Sequence, residues 1–233
     1  MLGLTALVLA LIFLFSVTGR WLAIFTGPAL TFLQESWALS DDPLVEDLRG
    51  AVVQVFVENR GDAARGSMRG SGFNLHADGL VVTNRHLLER AVSVRVSFPG
   101  IGTFTAEQWT VYPDADLAVL EFEAEDLPVV ELSGAPAYLD QEVLIIGNPM
   151  QFARVANRGE VVGYRDNPQS EIPLIIVEAM IYPGSSGSPV FNELGEVVGV
   201  IYATLRNSEP SEVKGLAVSA AELRQFLSEI ELD

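Results

Sequence analysis

The chain has 233 residues, with 14 basic and 31 acidic side chains and a formal net charge of −17. This charge argues against a nucleic-acid-binding protein, because phosphate recognition needs a basic face. The sequence has no cysteine and two histidines, which excludes disulfides and thiolate metal sites and leaves few ligands for other metals. We therefore expect no cofactor and no metal site. The length suits one domain, or two small lobes, with a sizeable core.

The N-terminal 35 residues are the most apolar part of the sequence. Residues 1–19 carry no charge, and as a helix they would span about 28 Å, close to the hydrocarbon thickness of a bilayer. No basic residue precedes Arg20, whereas a cleaved signal peptide normally begins with one. Residues 1–35 are therefore predicted to form a helical membrane anchor, with a signal segment or an apolar docking helix as alternatives. The polar and acidic stretch 36–43 is predicted to be a linker.

From residue 44 onward, short apolar runs alternate with turns, and Asp78-Gly79 is a strong hairpin signal. Many short strands with frequent turns are typical of all-β barrels. A helical pattern over residues 220–231 follows the last run. The predicted strands are 51–57, 71–75, 80–83, 92–98, 103–111 and 117–122 in the first half, and 142–146, 155–164, 174–177, 189–191, 197–202 and 215–218 in the second.

Three segments place a His, an Asp and a Ser at strand edges, in that order: His86, Asp116 and Ser186. A serine hydroxyl is a weak nucleophile that needs a base within hydrogen-bond reach, and the base needs an acid to hold its tautomer. The Gly-rich turn around Ser186 can also align backbone N–H groups toward an oxyanion. Asp114 is the competing acid. Each segment taken alone also fits an ordinary turn.

Four segments together resemble the block pattern of HtrA/Deg-type trypsin-like serine proteases, over about residues 52–218. Ser185 stands where the family usually has Asn, and Ser188 stands where it has the second Gly of Gly-Asn-Ser-Gly-Gly-Pro. The sequence ends at Asp233, and no PDZ domain is expected after the protease-like part. The four segments are Gly70-Ser71-Gly72-Phe73, Thr83-Asn84-Arg85-His86, Asp116-Leu117-Ala118-Val119-Leu120 and Pro183-Gly184-Ser185-Ser186-Gly187-Ser188-Pro189.

The resemblance implies an all-β fold of two six-stranded antiparallel barrels of the chymotrypsin/trypsin type, here residues 44–125 and 126–219, with the active site in the cleft between them. It implies Ser186 as nucleophile, His86 as general base and Asp116 as the orienting carboxylate. The implied oxyanion-hole residues are Gly184, Ser185 and Ser186, and the implied substrate-pocket residues are Met180, Val200, Ile201, Tyr202 and Ala203.

The predicted function is that of a serine endopeptidase in protein quality control or regulated proteolysis. Met180 would lie at the base of the pocket and carries no charge, so we predict cleavage after small or medium apolar residues. The resemblance also implies polypeptide substrates, a homo-oligomer such as a trimer, and a protease domain outside the cytoplasm, although Arg20 favours the opposite orientation. The alternatives are a catalytically weak, protease-like binding module and a membrane-anchored scaffold.

Overall fold

The computed structural model describes residues 34, 36–60, 67–206 and 213–230. Within these ranges the chain is mostly β, and the all-β prediction is confirmed. The helices are α1 (Pro43–Ala51) and α2 (Ala220–Glu229). The strands are β1 (Val52–Asn59), β2 (Ser67–His76), β3 (Leu80–Thr83), β4 (Ala91–Phe98), β5 (Gly102–Thr105), β6 (Gln108–Tyr112), β7 (Leu117–Glu121), β8 (Glu142–Gly147), β9 (Val155–Arg165), β10 (Leu174–Glu178), β11 (Pro189–Phe191), β12 (Val197–Arg206) and β13 (Val213–Ser219).

The first lobe is a seven-stranded antiparallel sheet in the order β5-β4-β1-β2-β3-β7-β6. Its two end strands are consecutive in the chain and only Ala106 and Glu107 separate them, so the sheet must curl until its ends approach each other. One strand was predicted over 103–111. The structure instead has two strands there, β5 and β6, because the chain leaves its partner β4 and pairs with β7. The Ala106 N–H donates to Val94 of β4, and the Glu107 N–H donates to Glu121 of β7.

The second lobe is a closed six-stranded barrel in the order β10-β13-β12-β11-β8-β9. One apolar cluster fills each lobe, and a third lies between the lobes and includes side chains from both. Strand β3 shows how alternation divides side chains between clusters: Val81 packs inside the first lobe, whereas Leu80 and Val82 belong to the cluster between the lobes. Burial of this shared cluster holds the two lobes together.

Helix α1 was missed in the sequence, where Leu44 was taken as the start of a strand-rich domain. Its signal is an Asp42-Pro43 pair, in which the Asp42 carboxylate caps the helix by accepting the Leu44 N–H at 3.0 Å. The predicted linker 36–43 lies against the domain, because the Ser36 hydroxyl is buried and accepts the Ala156 N–H at 3.0 Å.

The predicted anchor over residues 1–35 falls outside the described residues except for Gln34. Among the helices that the structure describes, none is both long enough and apolar enough to cross a bilayer.

Helix α2 packs across both lobes. The ring of Phe226 stacks on Tyr112 of β6, with 4.8 Å between the ring centroids. Glu222 of the same helix is only 1% exposed, and its Oε2 accepts a hydrogen bond from the Ser170 hydroxyl at 2.7 Å. Burial raises the pKa of Glu222 above its ordinary value of 4.5, and the neighbouring carboxylates of Asp114 and Glu229 act in the same direction.

Replacing this carboxyl should change how stability depends on pH. A carboxyl group with a raised folded-state pKa stabilises the fold below its unfolded-state value of about 4.5, and this contribution is lost as pH rises through the folded-state pKa. We expect the thermal stability of Glu222→Gln relative to the parent protein to increase as pH rises from about 4.5 through the folded-state pKa of Glu222, and to level off above it. Glu171→Gln, at an exposed position beside Ser170, is the control and should follow the parent. A difference in melting temperature between Glu222→Gln and the parent that is the same at every pH would contradict this expectation.

Candidate active site

The structure joins His86 and Asp116 through both oxygens of one carboxylate. His86 lies in a short 3-10 turn after β3, and Asp116 directly precedes β7. These strands pair with Thr83 opposite Ala118, so the two flanking segments lie side by side. Asp116 Oδ1 accepts the backbone N–H of His86 at 2.8 Å, and Oδ2 lies 2.6 Å from the ring Nδ1. Because a carboxylate can only accept, Nδ1 carries the proton and Nε2 is left as an acceptor.

Neighbouring side chains fix the turn that carries Asp116. The Asn84 amide donates to the Asp116 carbonyl at 2.8 Å, and the Arg85 guanidinium donates to the Pro113 carbonyl at 2.8 Å. Asp114, the competing acid, is exposed and makes no hydrogen bond to the histidine in the described part of the chain. The geometry therefore favours Asp116 over Asp114 as the partner of the ring.

Ser186 lies in a tight turn between β10 and β11. The Ser185 N–H donates to the Tyr182 carbonyl at 2.9 Å, with Pro183 second and Gly184 third in the turn. Gly184 has φ +99°, which with a preceding proline is typical of a type II turn. In this turn the central peptide is rotated by about 180° relative to a type I turn, and this rotation sets where the Gly184 N–H points.

Two N–H groups of this turn are left without an acceptor. The N–H groups of Ser185 and Gly187 donate to the carbonyls of Tyr182 and Ile201, whereas those of Gly184 and Ser186 donate to no acceptor among the described residues. Gly184 and Ser186 are half-buried, so water or a ligand can reach these two donors. A pair of backbone N–H groups beside a serine is the arrangement that stabilises an oxyanion. The N–H of Ser185, predicted as a third donor, is already used within the turn.

Each of the five carbonyls from Tyr182 to Ser186 has a donor, and these bonds fix the orientation of their peptide groups. Three of the donors lie outside the turn, on β2 and on the segment after β8. The carbonyl acceptors and their donors are Tyr182 with the Ser185 N–H, Pro183 with the Met150 N–H (2.8 Å), Gly184 with the Ser71 hydroxyl (2.8 Å), Ser185 with the Ser188 N–H (3.0 Å) and Ser186 with the Ser71 N–H (2.8 Å).

The serine turn and the histidine turn meet on β2. A side chain at Gly70 would collide with Leu87, next to the histidine, and would lie 3.1 Å from the Ser186 carbonyl oxygen. The Ser186 hydroxyl and His86 make no hydrogen bond with each other within the described residues. Such bonds are often long before a substrate is bound, so the arrangement is compatible with a nucleophile and its base.

The presence of Ser188 where the family pattern has a glycine has a structural explanation. Ser188 is fully buried, and a Cβ on Gly147 would overlap its hydroxyl oxygen. The glycine at 147 therefore leaves the space that the extra side chain at 188 occupies. The hydroxyl of Ser188 has no hydrogen-bond partner in the described part of the molecule.

The predicted pocket residues face in two directions. Ile201 is buried in the core of the second lobe, and a Cβ on Gly215 would lie 3.1 Å from Ile181 and 3.3 Å from Ile201. Half-buried Met180 directly precedes Ile181 in the chain, and its sulfur lies 3.8 Å from the Tyr182 hydroxyl. Met180 and Ile201, which belong to this side of the predicted pocket, are both apolar.

Val200 and Tyr202 belong instead to the space between the lobes. Val200 is fully buried in the shared cluster, and Tyr202 packs against the same cluster. Burial raises the pKa of Tyr202, the Arg165 guanidinium opposes this rise, and the Asp116 carboxylate adds a smaller rise. The tyrosine is therefore neutral at physiological pH. Ala203 is half-buried and follows a bulge in β12.

A separate cleft of about 1020 Å³ lies on the first lobe. Its lining includes one histidine and several acidic side chains but no serine or cysteine that could act as a nucleophile: His76, Asp78, Glu107, Glu121, Glu123 and Glu125. Ser186, His86 and the unpaired N–H groups lie elsewhere, so the candidate site is the one around Ser186.

Asn148 and Met150 were missed in the sequence, and Ser71 was noted only as part of a motif. These residues lie 32 or more positions before the serine turn. Met150 and Ser71 bond to it through backbone groups or a single hydroxyl, and Asn148 bonds to Ser71. Such contacts leave no local pattern in the sequence. The Asn-Pro pair at 148–149 was the one signal of a turn.

Comparison with known proteins identifies the family to which the chain is similar. The family model for the trypsin-like peptidase domain matches residues 70–200, more than half of the chain. A DegP-like periplasmic serine endoprotease of Marinomonas is 36% identical over 137 residues, which is 58% of this chain and 29% of that protein. The chain thus spans about a third of the length of the curated relatives that it matches.

Solved structures show the same fold. A serine endoprotease from Yersinia pestis superposes with a TM-score of 0.68 at 27% identity, over 80% of this chain and 64% of that one. The active form of the Rv3671c protease from M. tuberculosis gives a TM-score of 0.73 at 22% identity, over 84% of this chain and 87% of that one. The second likeness concerns the fold alone.

The close contact between the serine turn and β2 should make Gly187 irreplaceable. Gly187 has φ +85°, and a Cβ there would overlap the Ser71 carbonyl oxygen. Gly100 has φ +87° but open space around it, so it carries the same backbone strain without the clash. We expect Gly100→Ala to cost about 1 kcal/mol and Gly187→Ala several-fold more, measured by chemical unfolding. Equal losses in the two variants would contradict the close packing.

Proposed function

This chain belongs to the family of trypsin-like peptidases, and from that premise we propose that it is a serine endopeptidase in which Ser186, His86 and Asp116 form the catalytic triad. One observation carries the proposal above the others: a histidine held through its Nδ1 by a carboxylate lies beside a serine turn that has two unpaired N–H groups. Neither feature is needed for a binding module.

The proposed reaction begins with attack by Ser186 Oγ on the carbonyl carbon of the scissile peptide. His86 Nε2 takes the hydroxyl proton, since Nδ1 is committed to Asp116. The Asp116 carboxylate stabilises the resulting imidazolium and holds the ring in one orientation, through a second bond to the backbone of the same histidine.

Negative charge then develops on the former carbonyl oxygen. The Gly184 and Ser186 N–H groups would donate to it, and because they are fixed in advance, little reorganisation accompanies the reaction. Collapse of the tetrahedral intermediate breaks the C–N bond, and His86 gives its proton to the leaving amine. Water then attacks the acyl carbon while His86 takes its proton, and His86 returns that proton to Ser186 Oγ as the ester C–O bond breaks and the acid product leaves.

We propose a narrow, apolar preference at the primary pocket. Met180 is the residue predicted at the base, and the core side chains of Ile181 and Ile201 are also uncharged, so a buried Lys or Arg would lack a partner among them. An extended substrate would pair with the exposed side of the β12 edge near Ala203 by strand addition. The periplasmic location given for the relatives supports a protease domain outside the cytoplasm. Polypeptide substrates, a trimeric assembly and the role in quality control stay predictions.

Covalent labelling tests the proposed nucleophile. The purified full-length protein is treated with a fluorophosphonate, which forms a bond from phosphorus to the serine oxygen and releases fluoride, and the adduct is located by mass spectrometry. We expect an adduct on Ser186 that is lost in Ser186→Ala and His86→Ala, together with a loss of peptidase activity of about 10⁴-fold or more.

Ser188→Ala is the matched control, because it removes a hydroxyl two residues away that makes no hydrogen bond within the described structure. This variant should label and cleave like the parent. A well-folded parent protein that gives no adduct would contradict the proposal and favour the protease-like binding module.

Substrate preference is tested with a library of peptides that vary the residue before the cleaved bond. We expect kcat/KM for Ala or Val at this position to exceed kcat/KM for Arg or Lys by about tenfold or more, because a buried cation would lack a partner. Preferred cleavage after Arg or Lys would show that the pocket is built from other residues.

A further inference from the structure

Ser71 makes two hydrogen bonds to the serine turn although it lies more than 100 residues earlier in the chain. It is fully buried on β2 of the first lobe. Its N–H donates to the Ser186 carbonyl at 2.8 Å, and its hydroxyl donates to the Gly184 carbonyl at 2.8 Å. These two carbonyls lie on either side of Ser185, so the segment that carries both unpaired N–H groups is held at two points.

The hydroxyl proton of Ser71 has only one available direction. Asn148 donates to Ser71 Oγ twice, from its backbone N–H at 2.8 Å and from its side-chain amide at 3.3 Å. A hydroxyl has one proton and two lone pairs, so two incoming donors fill its acceptor positions and direct the proton to the Gly184 carbonyl. Asn148 is itself fixed, because its amide also donates to the Val53 carbonyl at 2.7 Å.

Gly184 needs such a constraint more than other residues do. Without a Cβ its backbone can adopt many conformations, and its φ of +99° is one of several that glycine tolerates. A side chain cannot replace the constraint, since a Cβ on Gly184 would lie 2.6 Å from the Asn148 carbonyl oxygen. The hydrogen bond from Ser71 therefore limits rotation of the Gly184–Ser185 peptide, and with it the direction of the adjacent N–H groups.

We propose that Ser71 is a positioning residue for the oxyanion hole, acting through its hydroxyl bond to the Gly184 carbonyl. It does not touch the substrate. The proposal rests on the serine endopeptidase function proposed above. Without the Ser71 hydroxyl the Gly184 carbonyl would lose its donor. The N–H groups of Gly184 and Ser186 would then spend less time in the arrangement that stabilises the transition state.

The test compares Ser71→Ala with Asn74→Ala in the full-length protein. Asn74 is a matched control on the same strand: it is fully buried and its amide donates to the carbonyls of His76 and Pro128 at 2.7 and 2.9 Å, away from the serine turn. Both variants should lose thermal stability. Three quantities are measured for each: kcat, KM and the rate of fluorophosphonate labelling.

For Ser71→Ala we expect kcat and the labelling rate to fall by about 10- to 100-fold, with KM changed by less than about threefold, because the lost interaction acts on the transition state. The loss should be the same at every pH, since the hydroxyl does not contact His86. Asn74→Ala should keep the parent kcat. An unchanged kcat in Ser71→Ala, or an equal fall in both variants, would overturn the proposal.

Two further variants decide the question if Ser71→Ala does not fold. Ser71→Thr keeps a hydroxyl, which is a strong hydrogen-bond donor. Ser71→Cys has a thiol, a weak donor, on a side chain similar in size to serine. The proposal expects a higher kcat for the Thr variant, and equal or reversed values would overturn it. Labelling of the parent protein distinguishes failure of the Ser71 proposal from failure of the proposed peptidase function. A parent protein that is not labelled contradicts the peptidase function. A labelled parent together with a fully active Ser71→Ala variant contradicts only the role of Ser71.

Discussion

The contact on which the site depends is the docking of the serine turn onto β2. The turn comes from the second lobe and β2 from the first, and they meet through the backbone and hydroxyl of Ser71. Five consecutive carbonyls of the turn are satisfied, which leaves the Gly184 and Ser186 N–H groups as its unpaired donors among the described residues.

Hydrophobic burial and hydrogen bonds contribute differently to this site. The shared apolar cluster brings the lobes together, but hydrophobic burial has no preferred direction and tolerates small rotations. Hydrogen bonds are directional, and those from Ser71, Asn148 and Met150 set the orientation of individual peptide groups. The histidine and acid are fixed by a separate set of bonds within the first lobe, whereas the serine turn of the second lobe is held in part by Ser71 of the first.

The network around the turn extends to the start of the described chain. The Ser36 hydroxyl accepts the N–H of Ala156, and the neighbouring N–H of Arg154 donates to Asn148, which in turn donates to Ser71. Burial of Ser36 therefore places the N-terminal stretch against the strand that supports the turn. Close packing also explains Ser188, whose side chain fits because Gly147, which faces it, has no side chain.

The sequence by itself determined the strands, because alternating burial and turn residues act locally, and it also singled out His86, Asp116 and Ser186 through short blocks of known type. Tertiary structure decided the rest. It split the predicted strand 103–111 where its partner changes, formed α1, and turned Val200 toward the space between the lobes and Ile201 toward the barrel interior. It also decided which N–H groups stay unpaired, because their neighbours find acceptors on segments far away in the chain, and no local pattern records such pairings.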